Sequence, residues 1–211
     1  MYLNPIFHGI WQGFFISILL FGPAFFKLLH TSIQEGFKKG VYLAFGVFFS
    51  DLLIALLCIF GVAEYMQAPS FQIIYSLIGG VLLIMMGIKA LRHQYKAFLK
   101  SYSERVPHSK NIFNGFWLNL INPFTLILWL NVLGSISLKY AEEPQFKTLV
   151  TINVITILLV LFSMDILKVF LSHLIGKKLN ARIFFVINKY FGILLIIIGL
   201  FFLGRFISLT F

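Results

Sequence analysis

Cysteine, charge and a basic leader are what this sequence has least of. A single cysteine, Cys58, stands among 211 residues, which excludes an intramolecular disulfide and any dithiol relay within the chain. Only 11% of the residues are charged, and seven of them are acidic, too few for the solvated surface of an ordinary soluble domain. No Lys or Arg precedes Lys27, so the first apolar stretch lacks the basic n-region of a signal peptide and is expected to remain as a helix. No Gly-rich phosphate loop is present, which argues against an ATP-driven pump in this chain. The five histidines, His8, His30, His93, His108 and His173, are scattered over segment ends and loops. None stands at ligand spacing from a cysteine or carboxylate, so no metal site is expected. None occupies a helix centre either, which leaves a serine–histidine hydrolase without its base.

What the sequence has in excess is apolar surface. It is 60% hydrophobic, and a mean hydropathy of +0.95 points to an all-α integral membrane protein. Six apolar segments, roughly 6–29, 41–62, 71–90, 116–137, 149–169 and 184–207, each approach or exceed the ~20 residues that span a hydrocarbon core. The net charge of +10 is parked between them, with no nucleic-acid motif beside it. Basic residues concentrate in alternate loops: Lys38 and Lys39 in the first, Lys89 to Lys110 in the third, Lys168 to Lys189 in the fifth. The positive-inside rule then places those loops in the cytoplasm and both termini outside.

Two of the segments are broken. Gly22-Pro23 interrupts the first and Asn122-Pro123 the fourth, and in each a glycine is followed four residues later by a small polar group, Gly13 by Ser17 and Gly115 by Asn119. A proline inside a helix displaces the carbonyl four residues earlier, so Leu19 and Asn119 are expected to carry freed carbonyls. Such groups persist at membrane depth only where protein or a watery cavity receives them. Broken helices in corresponding halves point to a transporter's substrate site.

The basic loop 91–111 divides a single transporter domain into a first repeat, about 6–90, and a second, about 112–207. Gly80-VLLIMM-Gly87 matches Gly192-ILLIII-Gly199, and Phe49-Ser50-Asp51 echoes Phe162-Ser163-Met164-Asp165 with one residue inserted. An odd number of spans per half inverts the second against the first, giving a 3+3 inverted-topology repeat of six helices. The glycine stripes suit internal packing and a homodimer seam equally.

Asp51 lies twelve residues past Lys39, about 18 Å along a helix and close to the midplane. Its face carries Ala44, Val47, Ala55 and Cys58, small enough for close packing, while Phe45, Phe48, Phe49, Leu52, Leu56 and Phe60 suit lipid. Burial penalises the charged form of a carboxyl, the property a proton carrier needs; a purely structural, hydrogen-bonded acid is the other reading. Asp165, three residues before Lys168, is expected to form an interfacial pair with it. Asn119 and Asn122 share a face at the second break, where their amides serve either a polar substrate or the freed carbonyls. Lys27 is expected to snorkel to the inner surface.

These features together resemble the lysine-exporter superfamily, the LysE/RhtB-type amino-acid exporters of bacteria. The resemblance rests on Gly22-Pro23, the Gly36/Gly40 basic turn, Gly46 followed by Asp51, Gly79-Gly80 and Gly87. It continues through Phe113-Asn114-Gly115, Asn119-Leu120-Ile121-Asn122-Pro123 and Asn188-Lys189-Tyr190-Phe191-Gly192. Phe21, Ser50 and Phe124 depart from the family's frequent pattern at those positions. The resemblance implies a six-helix inner-membrane carrier exporting amino acids or similar small polar metabolites against a proton or other ion gradient, with no cofactor. Asp51, Gly22, Pro23, Ser17, Asn119, Asn122 and Pro123 are the expected substrate and proton pathway. Heavy-metal or cation export on the same scaffold, a membrane enzyme and a non-transporting accessory subunit are the alternatives.

Overall fold

The computed structural model describes residues 3–19, 23–61, 69–92, 108–140, 142–175 and 181–210. Among these there are eight helices and no strand: α1 (Leu3–Leu19), α2 (Pro23–Gln34), α3 (Phe37–Gly61), α4 (Pro69–Arg92), α5 (His108–Leu120), α6 (Pro123–Tyr140), α7 (Phe146–Ile175) and α8 (Ala181–Thr210). Four of them, over Phe37–Ile59, Gln72–Arg92, Phe146–Leu174 and Gly192–Thr210, are long and apolar enough to cross a membrane. A fifth candidate is the pair Lys110–Leu120 and Phe124–Ser137, bent by 65°. The first apolar segment is described as α1 and α2; residues 20–22, where the break at Gly22 is expected, lie outside the described residues.

The helices fall into two compact units. One holds Met1–Glu64 and Val106–Leu174, the other Tyr65–Arg105 and Ile175–Phe211. Within the first, α1 and α7 run parallel: Pro5 meets Asn153, a methyl group at Gly9 would come 2.7 Å from Thr156 Cβ, and one at Gly13 2.8 Å from Val160 Cβ. The same unit pairs α3 with α5, also in parallel. Gly46 lies against the backbone of Ile112 and Phe116, and Gly115 against that of Leu43 and Val47. Without side chains at these two crossings the helices touch backbone to backbone, the approach that small residues permit where lipid leaves no hydrophobic force between helices.

The second unit is an antiparallel pair of α4 and α8. Gly80 faces Gly199 and Gly87 faces Gly192, each with a backbone carbonyl 2.6–2.9 Å from where a Cβ would stand. Among the two readings of these stripes, the structure uses the glycines for packing within the chain. Outward faces of both units are apolar, with Phe15, Leu57, Leu159, Ile197 and Phe201 all more than half exposed, which suits contact with lipid tails.

Pro123 opens a helix and does not kink one from the middle. It is the first residue of α6, the position where the missing N–H would have had no partner anyway. The expected free carbonyl of Asn119 is therefore corrected: it accepts the N–H of Asn122 at 3.2 Å. Between α2 and α3 the chain turns at Gly36, whose φ of 95° favours glycine. Lys39 pairs there with Glu35 at 2.9 Å.

Candidate functional site

Asp51 sits midway along α3 and is 2% exposed. Helical period carries Ala44, Val47, Ala55 and Cys58 to the same buried side, whereas Phe45, Phe49 and Leu56 are exposed. The carboxyl thus faces protein, where an intramembrane acid is least costly.

Two donors converge on one of its oxygens. Asn119 Nδ2 lies 2.9 Å from Asp51 Oδ1, and the indole Nε1 of Trp129 donates to the same atom at 3.1 Å. The Asn119 amide also reaches the carbonyl of Val47 at 3.4 Å. Its own Oδ1 accepts the hydroxyl of Thr125 at 3.1 Å, which fixes which way the amide points. A chain of buried polar groups therefore runs from α6 through the end of α5 to the acid on α3.

The helix break organises this chain. Helix α5 stops at Leu120, and Asn122 restarts the helix as an N-cap, its Oδ1 accepting the N–H of Phe124 at 3.2 Å. Thr125 and Trp129 then follow on α6, one turn apart, on the side of Asn119 and Asp51. In the structure Asn122 bonds the backbone N–H of Phe124, and Asn119 bonds the acid, a partner that neither expected reading named.

The other expected residues spread around this centre. Ser17 on α1 is 1% exposed and its hydroxyl has no hydrogen-bond partner, so nothing bonds it to Asp51. Ser50, beside Asp51 in sequence, is equally buried and unpartnered. Pro123 opens the helix that brings Thr125 and Trp129 in, while Pro23 belongs to α2, which packs against α3 and α5. Helix α1 touches α6 through Gln12 Nε2 and Ser135 Oγ at 3.4 Å. The two divided segments are thus in contact.

Of two expectations about charge, one needs correction and one holds. Lys27 does not snorkel; it is 5% exposed, because α2 is packed into the first unit. Asp165 pairs with Lys168 at 2.9 Å as expected, both side chains partly exposed, and the ammonium lies 5.7 Å from the centroid of the Phe25 ring. Among the described residues no group of three or more His, Cys, Asp or Glu side chains converges as a metal site would require.

Trp129 and Thr125 were hidden from sequence reasoning inside the apolar run that follows Pro123. A signal did exist: an indole N–H in such a run needs a partner once buried, and Thr125 stands three residues past the capping asparagine.

Several apolar helices, lipid-suited outer faces and a buried acid tied to a broken helix define a multi-pass membrane protein of the transporter kind. The family model described as LysE type translocator matches residues 15–205, and the chain belongs to that family. It is similar to a candidate amino acid efflux protein of Bacillus subtilis (strain 168), 26% identical over 185 residues, 86% of this chain and 87% of that one. It also resembles a leucine efflux protein of Enterobacter sp. (strain 638), 29% identical over 124 residues, 56% of this chain and 57% of that one. An uncharacterized membrane protein of Pseudomonas aeruginosa is 29% identical over 125 residues, 56% of this chain and 58% of that one. No solved structure matches.

Proposed function

We propose that this translocator is a secondary exporter of amino acids or related small polar metabolites in the bacterial inner membrane, working by alternating access and proton antiport. The observation that carries the reading is the Asp51 carboxyl, held inside the protein by Asn119 and Trp129 on either side of the α5–α6 break. A group that gains or loses a proton there changes what the break is bonded to. Proton binding and the conformation of the broken segment are then coupled, as antiport requires. Family membership and the efflux proteins among its relatives support the direction of transport.

Six spans arise when α1 with α2, and α5 with α6, each count as one crossing. Under the 3+3 plan, pairing α1 with α7 and α5 with α3 joins the first span of each repeat to the second span of the other. A two-fold axis in the membrane plane would generate that pairing, and the antiparallel α4–α8 pair is compatible with it. The parallel course of α3 and α5 agrees with both following loops on one side of the membrane, which the positive-inside rule makes the cytoplasmic side.

Export from cells overproducing the protein tests the reading, with a panel of amino acids and dipeptides followed with and without an uncoupler. Uncoupler-sensitive efflux of at least one amino acid is the expected result. Efflux unchanged by overproduction for the whole panel removes the proposal, and uncoupler-insensitive efflux removes its proton coupling.

A further inference from the structure

The surroundings of Asp51 have a counterpart elsewhere in the first unit. In the α3–α5 pair, Gly115 lies against Leu43 and Val47. Asn119, four residues later, bonds Asp51, which stands four residues past Val47. Helices α1 and α7 repeat this arrangement. Gly13 lies against Ile157 and Val160, and Ser17 follows it four residues later. Asp165 stands five residues past Val160, the extra residue being the one inserted between the two matching sequences. Ser17 is therefore placed as Asn119 is, and Asp165 as Asp51 is. The Ser17 hydroxyl is buried without a hydrogen-bond partner, a donor still unused one turn past the Gly13 crossing.

Two differences separate the acids. Asp165 has a cation, Lys168 Nζ at 2.9 Å, which also meets the Phe25 ring of α2. Its side chain is partly exposed, whereas Asp51 is sealed at 2%. Their relative depth follows from the packing of α7 on α3. Phe162 meets Phe45 and Phe48 with ring centroids 4.9 and 5.2 Å apart, and Val169 meets Gly40, so the two helices run antiparallel. Asp165 then comes level with Ala44, about 10 Å from Asp51 along the axis. The displacement is toward the side that the positive-inside rule makes cytoplasmic. The charges of Asp165 and Lys168 are both felt at Asp51.

An ion pair between the midplane and the inner surface adds little stability, because desolvation offsets the attraction. Charges at such depth mark ion and proton pathways instead. We infer that Asp165 is the inner proton-carrying residue of the exporter, taking the proton that leaves Asp51 and giving it to the cytoplasm, with Lys168 as its counter-ion. In the transfer the O–H bond of Asp51 breaks, the proton crosses through water, and an O–H bond forms on Asp165. The ion pair is lost at that moment, and Lys168 is left against the Phe25 ring, which attracts a cation without a carboxylate. Release of the proton to cytoplasmic water restores the Asp165 carboxylate and its pair. One proton has then moved inward and the protein has its starting charge again. The inference rests on the proton-antiport reading of the proposed function.

The test uses full-length protein in liposomes loaded with radiolabelled L-leucine and then with the other proteinogenic amino acids in turn. Two rates are read: efflux driven by an imposed pH gradient, and exchange at equal pH. Asp165→Asn lowers the ratio of driven efflux to exchange by about a hundredfold, the low end of what a positioned proton-transfer group contributes. Asp165→Glu keeps a carboxyl and stays within a few-fold of the parent ratio. Loss of a merely structural pair lowers both rates alike and leaves the ratio where it was. Because Asp165→Asn strands the Lys168 charge, the double variant Asp165→Asn/Lys168→Gln carries the same test with no unpaired cation, and its ratio falls as far. A parent ratio in either variant overturns the inference while antiport stands. A parent protein with no gradient-driven efflux of any amino acid removes the antiport reading, and the inference with it.

Discussion

The indole N–H of Trp129 and the carboxyl of Asp51 meet at 3.1 Å across two helices that the chain separates by 78 positions. Because Asn119 donates to the same oxygen at 2.9 Å, each donor can be removed while the other remains. Trp129→Phe keeps an aromatic ring but loses the N–H and part of the buried volume, so it should destabilise the protein by about 1–3 kcal/mol. Trp129→Ala also opens a cavity and should cost about 3–5 kcal/mol. Unfolding in detergent distinguishes them; a Trp129→Phe protein as stable as the parent would mean that the indole only fills space.

Asn122 is read as a helix cap. Its replacement by Ala should lower stability by about 0.5–2 kcal/mol, whereas Asn122→Asp should retain most of it, since either side-chain oxygen can accept the Phe124 N–H. Thermal unfolding of the two variants checks this. Transport by Asn122→Asp that falls as far as by Asn122→Ala, with stability preserved, would assign the residue to substrate instead.

Glycines differ sharply in what a methyl group would meet. At Gly46 and Gly115 it would strike backbone of the facing helix, which cannot move aside without separating α3 from α5. Gly46→Ala and Gly115→Ala should therefore reduce folded protein severely. Nothing lies within 4 Å of such a methyl at Gly204, and Gly204→Ala should be neutral or stabilise the helix by up to ~1 kcal/mol. Yield of monodisperse protein in detergent gives the comparison.

Much of α3 was legible in advance because a helix repeats its environment every 3.6 residues. One acid among small residues at Ala44, Val47, Ala55 and Cys58 announces a buried face. The break at Asn122-Pro123 was legible too, but its geometry was not: Asn-Pro is a cap followed by a first helical residue, where the sequence reading expects a mid-helix kink. Trp129 could not be assigned from its neighbours, since an indole in an apolar run suits lipid, core and interface equally. Only the register of α6 against α3 decides it. Lys27 failed for the same reason, because snorkelling depends on whether α2 borders lipid or protein. Pairing of Gly80 with Gly199 and Gly87 with Gly192 also needed the fold, since a stripe of small residues does not name its partner.

The account depends most on Asp51 as the group that couples protons to export. Asp51→Asn retains an oxygen that can accept from Asn119 and Trp129, so the variant should insert, fold and bind as the parent does. Reconstituted into liposomes, it should still exchange amino acid across the membrane but show no efflux driven by an imposed pH gradient. Gradient-driven efflux by Asp51→Asn at the parent rate would contradict the account.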